Sequence, residues 1–334
     1  MSADRSPYRV PAPRAEELIA WAPDFGRRFL VTVDVEEEFD WSRPLARENR
    51  GTAAMAAFPE AHRRFVDEGV GLVCMVDHPV ACDTSAVSIL QRVVEDGRSE
   101  IGAQLHAWVT PPFDEPLTRA NSYGGNLPPA LEAAKIDALT DALAAAFGRA
   151  PRAFRAGRYG MGPATLRLLA QRGYRVDTSV RSRYDYRADG GPTFGAIGPA
   201  AFRRDGMIEL PLTTVYTGVL RGAGRMLHDL AGRAPHARGV LARTGLLSRV
   251  ALTPEDMPIA DALEAVTVAA GEGERLLTFS FHSPSLAPGH TPYVRDAADL
   301  RRFHHWWRTM FAHLRGLDIR PATLNDAITA AGAI

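Results

Sequence analysis

The amino-acid sequence predicts an α/β protein that folds as a single (β/α) barrel of parallel strands, complete or incomplete. Roughly seven short apolar runs alternate along the chain with segments of helical periodicity. The apolar runs are continuous and not alternating, which is typical of parallel strands covered on both faces. No linker or internal repeat divides the 334 residues, and one barrel can accommodate that length. An open doubly wound sheet is the second choice.

The predicted elements follow one another in a regular order. Residues 1–26, rich in proline, arginine and alanine, are expected to form an N-terminal arm, and residues 27–334 the barrel. The predicted strands are Phe29–Asp34, Gly71–Val76, Glu100–Leu105, Ala153–Gly157, Tyr174–Val180, Met207–Thr213 and Leu276–Phe281. The clearest predicted helices are Ala53–Glu68, Thr84–Asp96, Leu131–Phe147, Arg221–Arg233, Pro254–Ala270 and Asp296–Leu314. Thr110–Pro129 is a long loop of a kind that is commonly functional.

Composition and charge exclude several classes of protein. Lysine plus arginine and aspartate plus glutamate both number 39, and no dense basic stripe is present, so no nucleic-acid partner is expected. Two cysteines cannot form a disulfide framework. No apolar run is long enough to cross a bilayer, and the first 26 residues lack the apolar core of a signal peptide. A cytoplasmic enzyme is therefore expected, and its oligomeric state stays open.

Polar side chains follow the carboxyl ends of the predicted strands, where barrels and doubly wound sheets both place their active sites. The exits carry Asp34 and Glu36, Asp77 and His78, His106 and Trp108, Arg155 with Arg158 and Tyr159, Asp177, and His282. The strand starts show no comparable set. The sequence therefore predicts one polar pocket that holds carboxylates, imidazoles and guanidinium groups.

Such a pocket has the parts for metal-assisted hydrolysis. Carboxylate and imidazole groups suit Zn²⁺, Mn²⁺, Co²⁺ or Fe²⁺, and a metal with an open position lowers the pKa of bound water to about 7. A further aspartate can accept a proton from that water, and a histidine can protonate the leaving group. An amide or ester is the most natural substrate.

Five stretches also resemble a known family in their order and spacing. They are "LVTVDVEEEFDW", "SEIGAQLHAWVTPPF", "FRAGRYG", "GYRVDTSV" and "LLTFSFHSP". They resemble the five motifs of the polysaccharide deacetylase (NodB-homology) family of carbohydrate esterases, and in particular its WalW-like branch. The resemblance extends from about Phe29 to the C-terminal helix. It implies a distorted (β/α) barrel of seven strands that removes acetyl groups from amino sugars with a divalent metal.

The resemblance also implies roles for individual residues. Asp34 would be the general base, His282 the general acid and Arg155 the residue that holds the base. Where the family usually has metal ligands, this chain has Val35 and Gln104.

Alternate residues of a strand share a face, so two neighbours of these positions can replace the missing ligands. Glu36 and His106 are accordingly the predicted ligands of a divalent metal, zinc first, with manganese, cobalt, nickel or iron as alternatives. The predicted substrate-binding residues are Asp77, Trp108, Arg158 and Tyr159.

Alternatives remain open for both the function and the individual residues. The first choice is a deacylase that acts on a sugar or glycoconjugate precursor. The others are a metal-independent hydrolase of another C–N bond and a catalytically inactive scaffold that binds carbohydrate. Glu37, Glu38 and Asp40 are expected on a solvated loop, and the neighbouring His304 and His305 on a packed helix outside the site.

Overall fold

The structure is a computed structural model, and residues 7–332 of it are described. The first six residues of the predicted N-terminal arm and the last two of the predicted barrel lie outside the described residues. The strands are β1 (Arg27–Val35), β2 (Leu72–Val76), β3 (Glu100–Leu105), β4 (Ala153–Ala156), β5 (Val176–Asp177), β6 (Phe202–Arg204), β7 (Met207–Glu209), β8 (Thr214–Thr217), β9 (Ser248–Ala251), β10 (Leu276–His282) and β11 (Ile319–Pro321).

Helices cover the outside of the sheet. They are α1 (Phe58–Val66), α2 (His78–Ala81), α3 (Thr84–Val93), α4 (Pro129–Phe147), α5 (Thr165–Ala170), α6 (Gly224–Ala231), α7 (Ala237–Arg243), α8 (Ile259–Gly271), α9 (Ala297–Gly316) and α10 (Leu324–Gly332). All seven predicted strands are present, although β5 and β7 are shorter than expected. The prediction lacks β6, β8, β9 and β11, which have only three or four residues each.

The main sheet is a curled, mostly parallel sheet in the order β10-β1-β2-β3-β4-β5-β7-β6, with only β6 antiparallel to its neighbour and β11 beside β1. Its two sides meet through the chain that follows β7. The backbone N–H of Leu212 donates to the carbonyl of Val180 (2.8 Å), and that of Thr213 donates to the carbonyl of Thr278 in β10 (3.1 Å). This closure confirms the predicted distorted (β/α) barrel.

Successive side chains of β1 point alternately to the two faces of the sheet and so lie in two environments. Val31, Val33 and Val35 face the helices as part of the apolar core. Thr32 and Asp34 point the other way, since both contact one guanidinium inside the barrel. In the parallel pairing of β1 with β10, Asp34 lies opposite His282. The register of these two strands therefore brings the predicted base and the predicted acid together.

Aromatic packing fixes β10 against its helical cover. The ring of Phe65 in α1 lies 5.8 Å from that of Phe281 in β10 and 5.0 Å from that of Trp307 in α9, measured between centroids. Burial of one such side chain stabilises the fold by about 1.5–3 kcal/mol. The strand that carries His282 is thus held by a cluster of aromatic side chains from α1 and α9.

The long loop after β3 is held by Lys135, the only lysine of the sequence. Its buried ammonium donates to the carbonyls of Ala107 (2.9 Å), Thr110 (2.7 Å) and Pro112 (2.6 Å) and lies 3.1 Å from a carboxylate oxygen of Glu115. An ammonium has three N–H donors around one point, one for each carbonyl, and its charge faces Glu115; a planar guanidinium spreads its donors in one plane. Lys135 lies on α4, so this helix holds the loop in place through a buried side chain.

An insertion extends from the barrel between β8 and β9, which pair as an antiparallel hairpin. It carries α6 and α7, and the predicted helix Arg221–Arg233 is reduced to Gly224–Ala231. Within residues 7–332, no helix has the length together with the apolar character that a bilayer crossing requires.

Candidate active site

The strand exits surround a cavity of about 760 Å³. Among the predicted site residues it is lined by Asp34, Glu36, His106, Trp108, Arg155, Arg158, Tyr159 and His282. Asp77 is absent from this wall and lies fully buried behind it. The prediction of a single polar pocket at the carboxyl ends of the strands thus agrees with the geometry.

Arg155 orients Asp34 inside the barrel. One of its terminal nitrogens donates to Oδ1 of Asp34 and to the hydroxyl of Ser280, at 2.6 Å for the latter. The other donates to the hydroxyl of Thr32 at 2.8 Å, and Nε donates to the hydroxyl of Thr178 at 3.0 Å. Because its donors are spread over four side chains of the barrel interior, Arg155 is fixed in place, and it fixes Asp34 in turn.

His282 faces the other oxygen of Asp34, with its Nε2 3.7 Å from Oδ2. Its Nδ1 donates to Oε2 of Glu255 at 2.6 Å, and its backbone N–H donates to Oε1 at 3.1 Å. Burial alone would lower the pKa of His282, but the carboxylates of Glu255, Glu36 and Asp34 outweigh it and raise the pKa to about 10. Glu255 is a residue that the sequence reasoning missed, since it lies outside every predicted strand and motif.

Glu36 and His106 lie together in the same cavity as Asp34. Nε2 of His106 is 3.5 Å from Oε2 of Glu36, which also accepts a hydrogen bond from the amide of Gln104 at 3.3 Å. Oε1 of Glu36 is buried and has no hydrogen-bond partner among the described residues. Burial raises the pKa of Glu36 to about 7, against the opposing effect of the two imidazoles, and burial lowers the pKa of His106.

Glu37 corrects one expectation from the sequence. The prediction places it on a solvated loop, but it is fully buried. Its Oε2 accepts from Nδ1 of His106 at 2.6 Å and its Oε1 from Nε1 of Trp108 at 2.7 Å. Its backbone N–H donates to Asp77, whose other oxygen caps α2 through the N–H of Val80. The chain turns inward after β1, so Glu37 supports His106 from behind, and burial raises the pKa of Glu37 to about 8.

Within residues 7–332, two groups of side chains have the composition of a metal site. In the group of Glu37, Asp77 and His106, the hydrogen bonds described above already engage both carboxylates, so it supports the cavity wall. In the group of Asp34, Glu36 and His282, the ligand atoms lie within 4.8 Å of one another.

A divalent cation fits the second group together with His106. In both His106 and His282, Nδ1 donates a hydrogen bond to a glutamate and Nε2 faces a carboxylate in the cavity. Metal-binding imidazoles usually have this arrangement. The partnerless Oε1 of Glu36 supplies an open oxygen ligand. Imidazole and carboxylate donors such as His106 and Glu36 suit zinc and its neighbours in the first transition row.

Aromatic side chains form the rim of the cavity. Trp41 meets the rings of His282 and Tyr293 edge to face, at 5.4 and 5.6 Å between centroids. The sequence reasoning assigned no role to Trp41, because a single tryptophan in a loop carries no pattern. Trp108 is buried, stacks on His106 at 4.2 Å and donates to Glu37, so its ring is already covered on one side.

Arg158 and Tyr159 lie on the wall beside β4 with φ angles of 56° and 57°. Two consecutive non-glycine residues in the left-handed region are uncommon and cost roughly 1–2 kcal/mol each. The guanidinium of Arg158 lies 4.2 Å from the ring centroid of Tyr123, and Tyr159 stacks on Tyr186 at 5.8 Å. The turn thus holds both predicted substrate-binding residues against the cavity at an energetic cost.

No protein-family model matches this chain, and no curated protein matches it. Solved structures with a related architecture do match. A candidate polysaccharide deacetylase from Mycobacterium smegmatis is 18% identical over 92% of this chain and 96% of its own, with a TM-score of 0.47. The peptidoglycan deacetylase PdaC from Bacillus subtilis is 10% identical over 92% of both chains, with a TM-score of 0.43. A GH57 branching enzyme from Thermococcus kodakaraensis is 12% identical over 90% of this chain and 70% of its own, with a TM-score of 0.48. Likenesses at these values do not decide the activity of this chain.

Proposed function

We propose that the protein is a hydrolase that removes an acyl group, acetyl first, from an amino sugar or glycoconjugate. The observation that carries this proposal is the pairing of Asp34 with His282, 3.7 Å apart in one cavity and each held by a separate partner. Hydrolysis of an amide needs one group to take a proton from water and another to give one to the leaving nitrogen. The resemblance to the polysaccharide deacetylases, and to their WalW-like branch, supports the same chemistry.

Asp34 acts as the base. Its Oδ1 accepts from Arg155, which leaves Oδ2 directed at the cavity to accept a proton from an attacking water. The fixed guanidinium keeps the carboxylate in one orientation throughout the reaction, so little rearrangement is needed when the proton arrives.

His282 acts as the acid. The raised pKa, about 10, keeps its ring protonated at neutral pH. Because Nδ1–H is held by Glu255, the proton that can leave is the one on Nε2, which faces Asp34 and the cavity. Transfer of that proton to the leaving nitrogen completes the cleavage, and the ring recovers a proton from Asp34 or from solvent.

A divalent metal, zinc first, would be held by Glu36 and His106, while Asp34 and His282 serve the proton transfers. When bound, such an ion polarises the acyl carbonyl and lowers the pKa of water. Glu37 would act behind it by fixing the tautomer of His106, since a carboxylate on Nδ1 leaves the lone pair on Nε2.

The sugar would contact the aromatic rim and the arginine wall. Trp41 and Tyr293 offer apolar ring surface next to His282, and aromatic rings pack well on the apolar faces of sugars. Arg158 and Tyr159 would contact the sugar from the opposite wall.

Acetate release from penta-N-acetylchitopentaose and from p-nitrophenyl acetate tests this proposal with the intact protein. Asp34→Asn should lower kcat/KM by roughly 100-fold or more, the usual contribution of a general base. The matched control is Asp67→Asn, an exposed aspartate at the end of α1. Turnover that is unchanged in Asp34→Asn would refute the assignment. Saturable glycan binding without turnover would favour the inactive carbohydrate-binding scaffold.

One observation supports a metal-independent hydrolase as the second candidate. Gln104 stands where the family usually has a ligand, and its amide donates to the same oxygen of Glu36 that faces His106. An amide donor at that place satisfies a carboxylate without a cation. Full activity after exhaustive chelation would select this candidate, and loss of activity that returns with zinc would exclude it.

A further inference from the structure

Residues 218–247, called here the hairpin insertion, expose an unusual amount of apolar surface. Ten large hydrophobic side chains are exposed among the described residues, and six of them belong to this segment of the chain. They are Val219, Leu220, Met226, Leu230, Val240 and Leu246, with Val219 and Met226 75% and 67% exposed. Single exposed apolar residues are ordinary, but a cluster of this kind marks an interaction surface.

The exposed apolar residues are brought close together by the fold. The backbone N–H of Leu220 donates to the carbonyl of Leu246 at 3.0 Å, so the two ends of the insertion are adjacent. Met226 and Leu230 are one turn apart on α6 and therefore lie on the same side of the helix. The buried His228 lies on the other side of α6, 5.6 Å from the ring of Tyr216 between centroids, and its carbonyl accepts from Arg238. One side of the insertion thus packs against the rest of the protein, and the other side is exposed to solvent.

The same segment is strongly basic. It contains five arginines, all exposed, and one acidic residue, Asp229. The arginines are Arg221, Arg225, Arg233, Arg238 and Arg243. Within residues 7–332, none of the five guanidinium groups lies at salt-bridge distance from a carboxylate. A chain with a formal net charge of zero therefore concentrates uncompensated positive charge on its most apolar surface.

We propose that the hairpin insertion docks the protein on an anionic lipid surface. Short helices with exposed apolar residues among arginines are typical of segments that lie in the headgroup region of a bilayer. Guanidinium groups pair with lipid phosphates through two parallel hydrogen bonds, while Met226, Leu230 and Val219 reach the acyl boundary. A symmetric contact with a second copy would place like charges against each other, so charge complementarity favours the anionic lipid.

The location of the insertion relates this surface to the cavity without making it part of the site. β8 and β9 carry the insertion at one end, and at the other end the chain reaches Leu212 and Thr253 in the cavity wall. The paired strands are four residues long, which corresponds to about 14 Å. Docking would therefore hold the cavity a short distance above the headgroups. The proposal does not depend on the proposed activity, and its test uses binding alone.

Co-sedimentation of the full chain with lipid vesicles tests the proposal. We expect binding to vesicles of equal parts phosphatidylcholine and phosphatidylglycerol, weaker binding at high salt, and none to phosphatidylcholine alone. Arg221→Glu combined with Arg225→Glu should lower the partition coefficient by about tenfold or more, because each reversal removes one attraction and adds one repulsion. Met226→Ser combined with Leu230→Ser should also lower it.

Matched controls separate this surface from general effects of charge and hydrophobicity. Arg63→Glu with Arg301→Glu makes the same charge change on α1 and α9, and Leu18→Ser with Val66→Ser removes exposed apolar groups elsewhere. These controls should bind as the unaltered chain does, and thermal unfolding should show that all variants fold. Equal loss in control and insertion variants would overturn the proposal, as would absence of vesicle binding. Light scattering that showed a dimer broken by Met226→Ser and Leu230→Ser, with no vesicle binding, would assign the surface to a second copy instead.

Discussion

Glu255 receives two hydrogen bonds from His282, one from the backbone N–H at 3.1 Å and one from Nδ1 at 2.6 Å. A third donor, the hydroxyl of Ser285, occupies Oε1 as well. The carboxylate therefore fixes the strand end and the ring of the same residue, and the direction of Nε2 follows from that fixation. The acid of the proposed reaction is positioned by a glutamate that lies outside every motif.

Glu255→Gln should move the alkaline limb of the pH–rate profile to lower pH. Burial acts to lower the pKa of His282, and Glu255 is the largest of the charges that raise it to about 10. Without that charge the pKa falls, so the ring loses its proton at a lower pH and kcat falls there. We expect a loss of roughly tenfold or more at alkaline pH and a smaller loss near pH 6. Glu272→Gln, an exposed change of the same kind, should leave the profile unaltered; an unshifted limb in Glu255→Gln would contradict the positioning role.

His106→Ala should release the metal. The side chain contributes the Nε2 that faces Glu36 at 3.5 Å, and its loss leaves a carboxylate-dominated set with weaker affinity for zinc. Elemental analysis of purified protein is expected to show about one metal per chain before the change and little after it. His305→Ala, on the solvent side of α9, is the matched control. Equal metal content in the two variants would remove His106 from the ligand set.

Glu37→Gln should weaken metal binding, although Glu37 is not itself a proposed ligand. Glutamine presents an N–H group where the carboxylate accepts from Nδ1 of His106. The proton would then move to Nε2, the nitrogen that faces Glu36, and block it as a ligand. A loss in zinc affinity of about 10–100-fold is expected from titration against a chelator. The exposed Glu95→Gln serves as the control, and an unchanged affinity in Glu37→Gln would show that the contact has no bearing on the metal.

Glu209→Gln should stabilise the protein at alkaline pH. Glu209 in β7 lies opposite Asp177 in β5, and neither of its carboxylate oxygens has a partner among the described residues. Burial, and then the charge of Asp177, raise the pKa of Glu209 well above its usual value. The folded state therefore holds a proton that the unfolded state releases, and stability is lost as pH rises from the unfolded pKa through the folded one.

The neutral amide avoids this loss. We expect Glu209→Gln to be the more stable protein at pH 8, with little difference at pH 3, where the carboxyl of Glu209 is protonated in both the folded and the unfolded state. Chemical unfolding at the two pH values measures the difference. An equal effect at both would show that packing and not ionisation governs the variant.

Lys135→Met should destabilise the fold by about 3–5 kcal/mol, the usual cost of leaving one partner of a buried ion pair alone. It would leave Glu115 and three backbone carbonyls without their donor. Lys135→Arg should recover only part of the loss, because a planar guanidinium cannot direct its donors at all three carbonyls from the place of the ammonium. Unfolding by urea gives both values. Full recovery in Lys135→Arg would show that charge alone is required.

The barrel strands could be predicted because each is a continuous apolar run. Because the strands are parallel, the polar residues at their carboxyl ends could then be predicted to share one pocket. Asp34, Arg155 and His282 could be predicted for that reason. Glu255 and Trp41 could not, since they lie in loops whose paths depend on tertiary contacts. Glu37 was misplaced because β1 leads into a turn that buries its side chain, and strand alternation says nothing about the residues beyond a strand.

The exposed basic surface of the hairpin insertion also could not be predicted from the sequence. Net charge over the whole chain is zero, and that average hides a local excess of arginine. Helical periodicity indicated part of α6 but not which of its apolar side chains would be exposed, because exposure is decided by what packs against a helix.

The single lysine of this chain allows the opening of the loop after β3 to be measured without an added probe. Amine-reactive reagents find one side-chain target in the described structure, and it is enclosed by the loop that it orders. Labelling of Lys135 can therefore proceed only as fast as that loop opens. A mass-spectrometric time course of acetylation at this position would give the opening rate directly, with no engineered probe, and any molecule that binds against the loop should slow the reaction.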